Sequence, residues 1–188
     1  HLVQALELAR QWNIDFGIHN ATSFLALSLV QQRHFDRAEA ILAHLFGEPP
    51  VPDKHAAAAI LTLKQRIYWS VRCELALGRG NPAEGLAIAE LLVTRADAEG
   101  ASAPTEIHVV PRLRWLRARA LLATGQTTAA ARELATALSA AQALGAEPDC
   151  WRIHRLQGEF ARTHGRPAEA VKEVAAARAI IETLATTL

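Results

Sequence analysis

Four copies of one short phrase punctuate the chain: Arg33-His34-Phe35-Asp36-Arg37-Ala38, Gly80-Asn81-Pro82-Ala83-Glu84-Gly85, Gly125-Gln126-Thr127-Thr128-Ala129-Ala130 and Gly165-Arg166-Pro167-Ala168-Glu169-Ala170. They begin 47, 45 and 40 residues apart. Each couples a turn signal to a small residue that opens a helix, and a helical apolar pattern also precedes it. The repeating unit is therefore a helix, a tight turn and a second helix. Such a period implies an all-α solenoid, in which each unit buries its apolar face by stacking on its neighbours. The dominance of alanine and leucine, with only 5% aromatic residues, suits close-packed helix pairs and argues against a β-sandwich or barrel.

Apolar positions extend the phrase into a register. Leu2, Ala5, Leu6 and Ala9 form the stripe of a leading helix within 1–12, read as the second member of an upstream pair. Four pairs are expected after it, at 16–32 with 35–46, 54–78 with 82–98, 105–124 with 127–144, and 149–164 with 167–187. Gly47, Gly100 and Gly145 fall where second helices should end. Pro49, Pro50, Pro52, Pro104 and Pro148 then prevent continuation, and three of these prolines make 47–53 a semi-rigid strap. Pro82 and Pro167 instead open helices, where a missing N–H costs nothing. Seven residues before each phrase stands Ala26, Cys73, Ala118 or Gly158, and five after its start Ala38, Gly85, Ala130 or Ala170. Helices can approach closely at such small residues. Nine after the start come Leu42, Ala89, Leu134 and Val174, all apolar.

These columns resemble the tetratricopeptide repeat, with its small residue in the first helix, small residue opening the second and apolar position four further on. The likeness spans nearly the whole chain. It departs in a first-helix aromatic that is not consistently present, in a terminal proline present only as Pro50, and in a period longer than 34 residues. The longer units, above all Trp151 to Glu159 followed by Gly165 to Ala170, are similar to the variant solenoid of large bacterial signalling ATPases of the MalT/LuxR type. The resemblance implies a right-handed superhelix of antiparallel helix pairs, about four plus the leading helix. It also implies a sensor for a small inducer or a regulatory protein, with nucleotide-binding and output modules lying elsewhere.

One domain over 1–188 is expected, read as a segment of a larger multidomain protein because the chain holds no methionine and stops in helical pattern at Leu188. No apolar run reaches the roughly 18 residues of a membrane span and no signal segment opens the chain, so a cytoplasmic setting is expected. Cys73 and Cys150 lie in different repeats without a CxxC pairing, which suggests neither disulfide framework nor zinc site. The apolar stripes of 1–12 and 168–188 make end-to-end self-association an expectation as well.

The chain lacks GxxxxGK[ST], GxGxxG, HExxH and GxSxG, so no catalysis and no cofactor are expected. His34/His44 and His154/His164 are ten residues apart, against the one turn of a helical chelate, so no metal is expected either. Charge is more telling. First helices of the later pairs carry Lys54, Lys64, Arg66, Arg72, Arg112, Arg114, Arg117, Arg119, Arg152, Arg155 and Arg162, whereas second helices carry Asp36, Glu39, Glu84, Glu90, Asp97 and Glu99. By analogy with the repeat class, first helices line a concave groove, on positions thirteen, ten, six and three before each phrase. They give Arg112, Trp115, Arg119, Arg152, Arg155, Glu159 and Arg162, with Ser70 and Glu74 from the preceding pair.

Arginine forks beside a tryptophan suit an acidic protein or peptide segment, or a small anionic effector. The bland alternative is that these arginines only cover apolar surface with their stems. Of Trp12, Trp69, Trp115 and Trp151, Trp115 is the one expected outside the core, so that Trp115→Ala should weaken binding and leave melting unchanged. Direct nucleic-acid binding is not expected at a formal net charge of +1 without a basic stripe. The sequence thus reads as a non-catalytic interaction or sensor domain of a larger regulator, the alternative being a free-standing adaptor that joins two proteins.

Overall fold

One three-residue turn, used six times, sets the architecture. Its middle residue has positive φ, at Asn13 (51°), Arg33 (63°), Gly80 (81°), Gly125 (78°), Gly145 (62°) and Gly165 (69°). At each, that residue's N–H donates to the carbonyl three back and the next residue's N–H to the carbonyl five back. At Gly125 these bonds run to Leu122 O (3.1 Å) and from Gln126 to Leu121 O (2.8 Å). This is the Schellman closure of a helix. The residue after the turn's centre immediately caps the next helix, since the Gln126 carbonyl accepts from the N–H of Ala130 at 3.0 Å. One helix therefore ends and the next begins within three residues, and the two lie side by side.

The computed structural model describes residues 1–46, 63–99 and 110–186. Among these the helices are α1 (Leu2–Gln11), α2 (Asp15–Gln31), α3 (Phe35–Phe46), α4 (Leu63–Gly78), α5 (Pro82–Glu99), α6 (Val110–Ala123), α7 (Thr127–Ala143), α8 (Glu147–Thr163) and α9 (Pro167–Thr186). No strand occurs among the described residues, and the fold is all-α. The strap at 47–53, Gly100, Pro104, and the expected helical starts at 54–62 and 105–109 lie outside the described residues. Pro82 and Pro167 open α5 and α9 as expected. Pro148 differs. It sits in the first turn of α8, which begins at Glu147 rather than at 149, because the Gly145 turn needs no further breaker.

The chain forms two compact units, His1–Ala98 and Glu99–Leu188. In the first, α2 packs on α1, α3 and α4, and α3 also meets α4. In the second, α7 packs between α6 and α8, α8 on α9, and α6 also touches α8. Turn centres at 125, 145 and 165 are twenty residues apart, so the 40-residue spacing between phrases is two helices of 17 residues with three-residue turns.

The small-residue columns lie where helices touch. Ala26, Cys73, Ala118, Ala38 and Ala130 are wholly buried. A Cβ on Gly85 would come within 2.8 Å of Leu77 Cδ2, and the Cys73 thiol reaches across to donate to the Gly85 carbonyl at 3.3 Å. A methyl group there would have to displace the Leu77 side chain, so glycine suits this approach between α4 and α5. Leu42, Ala89 and Leu134 are buried in the third column, but Val174 is 55% exposed.

Candidate interaction face

Much of the arginine excess of the first helices is committed to holding helices together. Arg72 on α4 spans Glu39 of α3 (3.5 Å) and Glu84 of α5 (3.8 Å). Arg79 pairs with Asp36 at 2.7 Å and with Glu39. In the second unit Glu133 of α7, only 9% exposed, accepts from Arg114 (3.0 Å) and Arg117 (3.4 Å) of α6. Forty residues on, Glu173 meets His154 Nδ1 at 2.7 Å. His154 thus faces α9 as the counterpart of Arg114. Gln157 replaces Arg117 in this register, and its Oε1 is buried without a donor among the described residues.

The remaining predicted site residues of the second unit lie on α6 and α8. On α6 the Arg119 guanidinium stands 4.7 Å from the centre of the Trp115 ring. Trp115 corrects the sequence expectation, because its ring packs on the core of Ala118, Leu134, Ala137, Ala141, Cys150 and Ile153 and is only partly exposed. The exposed tryptophan is Trp12 at 72%, whereas Trp69 is 5% exposed. On α8 Arg152 lies 5.0 Å from the centre of the Trp151 ring, donates to the Pro148 carbonyl at 2.7 Å and pairs with Asp149 at 3.6 Å. Arg155 is held by Glu159 at 3.0 Å. Arg162 is exposed at the far end of the helix.

Ser70 and Glu74 belong to the first unit and are buried, at 6% and 7%. The Ser70 hydroxyl donates to the Arg66 carbonyl in its own helix at 2.7 Å. Neither offers an open surface. Asp149, one of the few acids that accompany the arginines of the first helices, has its carboxyl between two of them. Burial raises it above the usual carboxylate range, and Arg152 and then Arg112 partly counter that rise. Burial likewise raises the neighbouring Cys150 thiol, with Asp149 and Glu147 adding to the effect. A thiol so placed is a packing group, not a nucleophile.

This face can bind anions and stack planar groups, and its cations outnumber its carboxylates. Arg112, Arg119, Arg152, Arg155 and Arg162 stand against Asp149 and Glu159. Beside it, α8 and α9 enclose a groove of about 590 Å³ that takes in Arg155, Glu159 and Arg162. Its opposite wall comes from α9, a second helix, through Ala170, Val171, Val174, Ala175 and Arg178. Among the described residues no group of three or more His, Cys, Asp or Glu is placed to hold a metal ion. No described helix is long and apolar enough to cross a membrane.

Fold and face define an all-helical protein of repeated hairpins with a cationic, tryptophan-bearing surface on its second unit. Neither a protein-family model, a curated protein nor a solved structure matches the chain.

Proposed function

We propose that the chain is a non-catalytic recognition module, a right-handed solenoid of helical hairpins that binds an acidic segment of a partner protein. In this reading it serves as the sensing or partner-binding part of a larger cytoplasmic regulator, in keeping with the repeat class it resembles. The observation that carries the proposal is the arginine-rich surface of α6 and α8. There Arg119 lies over Trp115 and Arg152 over Trp151, and five arginines meet two carboxylates. A guanidinium fork can meet a carboxylate edge-on, a geometry that discriminates carboxylate from other polar groups. Pre-stacking also lowers the side-chain ordering that binding would require.

A fluorescein-labelled oligoglutamate peptide, with oligoglutamine as control, tests the idea by anisotropy. Oligoglutamate should bind the whole chain and lose affinity as salt rises, since exposed charge pairs are screened over about 8–10 Å at physiological ionic strength. Arg112→Ser with Arg119→Ser should weaken it at least fivefold. Equal binding of both peptides, or affinity indifferent to the double substitution, would overturn the proposal.

A further inference from the structure

The carboxylate of Asp149 is poorly provided for by the fold. Its side chain, on the third residue of α8, is only 15% exposed, and its ion pair with Arg152 Nη1 spans 3.6 Å. That is well beyond the about 2.7–2.9 Å of a charge-assisted hydrogen bond. Among the described residues the carboxylate accepts no hydrogen bond. The same Arg152 nitrogen donates instead to the Pro148 carbonyl at 2.7 Å, and the guanidinium lies 5.0 Å from the centre of the Trp151 ring. Burial raises the Asp149 carboxyl, and Arg152 and then Arg112 counter the rise only in part.

Helix chemistry does not account for this placement. Glu147, exposed at the first residue of α8, already puts an acid at the positive end of the helix dipole, and no side chain caps the helix by a hydrogen bond. Forty residues earlier the equivalent position in the sequence is Val109, an apolar residue. A carboxylate kept half out of water beside specific cations, at a position the repeat can fill with valine, is the mark of a functional group.

Its surroundings show which function. The shift of forty carries Arg112 of α6 onto Arg152 of α8, and α6 touches α8. Equivalent arginines of two neighbouring first helices thus act on one carboxylate, and both belong to the cationic face. A carboxylate arriving between them from outside meets Asp149 at close range, and like charges brought together in a partly buried site repel strongly. Glu159 is a weaker obstacle. It is 46% exposed and bonded to Arg155 at 3.0 Å, so water and salt screen it.

We infer that Asp149 is an internal competitor for the arginines of the α6–α8 face, a carboxylate of the chain itself that occupies the notch between Arg112 and Arg152 and holds down the affinity for acidic partners. This rests on the reading of that face as one that binds acidic segments, and it adds the residue that sets how tightly it does so. Arg112 and Arg152 bind, whereas Asp149 restrains them.

The labelled oligoglutamate peptide, titrated into the whole chain at pH 7, tests the inference. Asp149→Asn should tighten binding about fivefold or more, as expected when a like charge leaves a partly buried site. Glu147→Gln removes the same charge from an exposed position in the same helical turn and should change affinity less than twofold. In a background of Arg112→Ser with Arg152→Ser, the gain from Asp149→Asn should fall below twofold. In an Arg162→Ser background it should persist in full. Urea melts of each variant confirm that the fold is kept.

An Asp149→Asn affinity no higher than the parent's would overturn the inference. So would an equal gain from Glu147→Gln, which reports net charge alone, or a gain that survives the loss of Arg112 and Arg152. Parent binding that remains sensitive to Arg112 and Arg119 would in those cases leave the broader proposal standing. Oligoglutamate bound by neither the parent nor Asp149→Asn would overturn both.

Discussion

The four turn glycines offer a clean test of how this chain is put together, because the cost of replacing them is one of backbone alone. At Gly80, Gly125, Gly145 and Gly165 an added Cβ would meet nothing within 4 Å, yet φ lies between 62° and 81°. An L-residue in this left-handed region costs about 1–2 kcal/mol. Replacing glycine with alanine also removes freedom from the unfolded chain, which returns about 0.4–1 kcal/mol. Each Gly→Ala change should therefore destabilise by a net of up to ~1.6 kcal/mol, with a centre near ~0.8 kcal/mol, and at about 2–4 °C per kcal/mol for a protein of this size the melting temperature falls by a few degrees. Asparagine tolerates the left-handed region, as it already does at Asn13, so Gly→Asn should cost less than Gly→Ala at all four sites. Urea unfolding followed at 222 nm, with an unchanged m-value, measures each effect. An alanine variant as stable as the parent, or asparagine variants no better than alanine, would refute the argument that these turns hold the chain by φ.

Glu133→Gln leaves Arg114 and Arg117 sharing one neutral carbonyl, and a loss of about 1.5–3 kcal/mol is expected for charge-assisted bonds at so buried a site, read from the urea midpoint. Conversely, Gln157→Arg should give Glu173 a second partner, as Glu133 has two, and remove a buried carbonyl oxygen that has no donor among the described residues. After the entropy of ordering the arginine is deducted, the gain is about 0.5–1 kcal/mol, and a drop in melting temperature would contradict the register. Trp115→Ala should destabilise by somewhat less than the ~3–5 kcal/mol of a fully buried tryptophan, and a melting curve identical to the parent's would remove the ring from the core. Because burial raises the Asp149 carboxyl, the native state holds that proton more tightly than the unfolded chain. The group's contribution to stability therefore falls as pH rises from the ordinary value of 3.8 through the native one. Asp149→Asn is thus expected to be more stable than the parent at pH 7, and the advantage should vanish in urea melts below the ordinary carboxylate value. An advantage that grows on acidification would reverse the sign.

What was legible in the sequence was whatever a local rule controls. Gly80, Gly125 and Gly165 announced their turns by residue type, and Pro82 and Pro167 marked the helix starts at which they are found. The turn at Asn13 escaped because asparagine only tolerates left-handed φ, where glycine invites it. Pro148 misled because a proline three residues after a turn glycine can equally stop one helix or open the next, and hydrogen bonding at Ala146 decides the matter. Side-chain partners were hidden for a different reason. Trp115 and Glu159 share the outward columns, yet the first leans onto Leu134 and Cys150 and the second onto Arg155, and no spacing rule states which neighbour a long side chain will choose. The burial of Ser70 and Glu74 depends on tertiary surroundings that a column count omits.

The same register nevertheless explains how one helix serves two tasks. Positions eight and eleven residues before a turn centre, Arg72, Arg114, Arg117 and His154, meet acidic residues of the paired second helices. Those thirteen, ten, six and three before it include Arg112, Trp115, Arg119, Arg152, Arg155 and Arg162. At about 100° per residue, a step of two from position eleven to thirteen turns by about 200°, so the two sets lie on opposed sides of the helix. The clamping side chains and the outward ones are therefore separable. Substitution in the first set uncovers a partner carboxylate between packed helices, while substitution in the second changes surface chemistry at little cost to the fold. Trp115 is the exception, since its ring is large enough to reach the core from the outer column, and it joins the outward arginines to the hairpin seam beneath it.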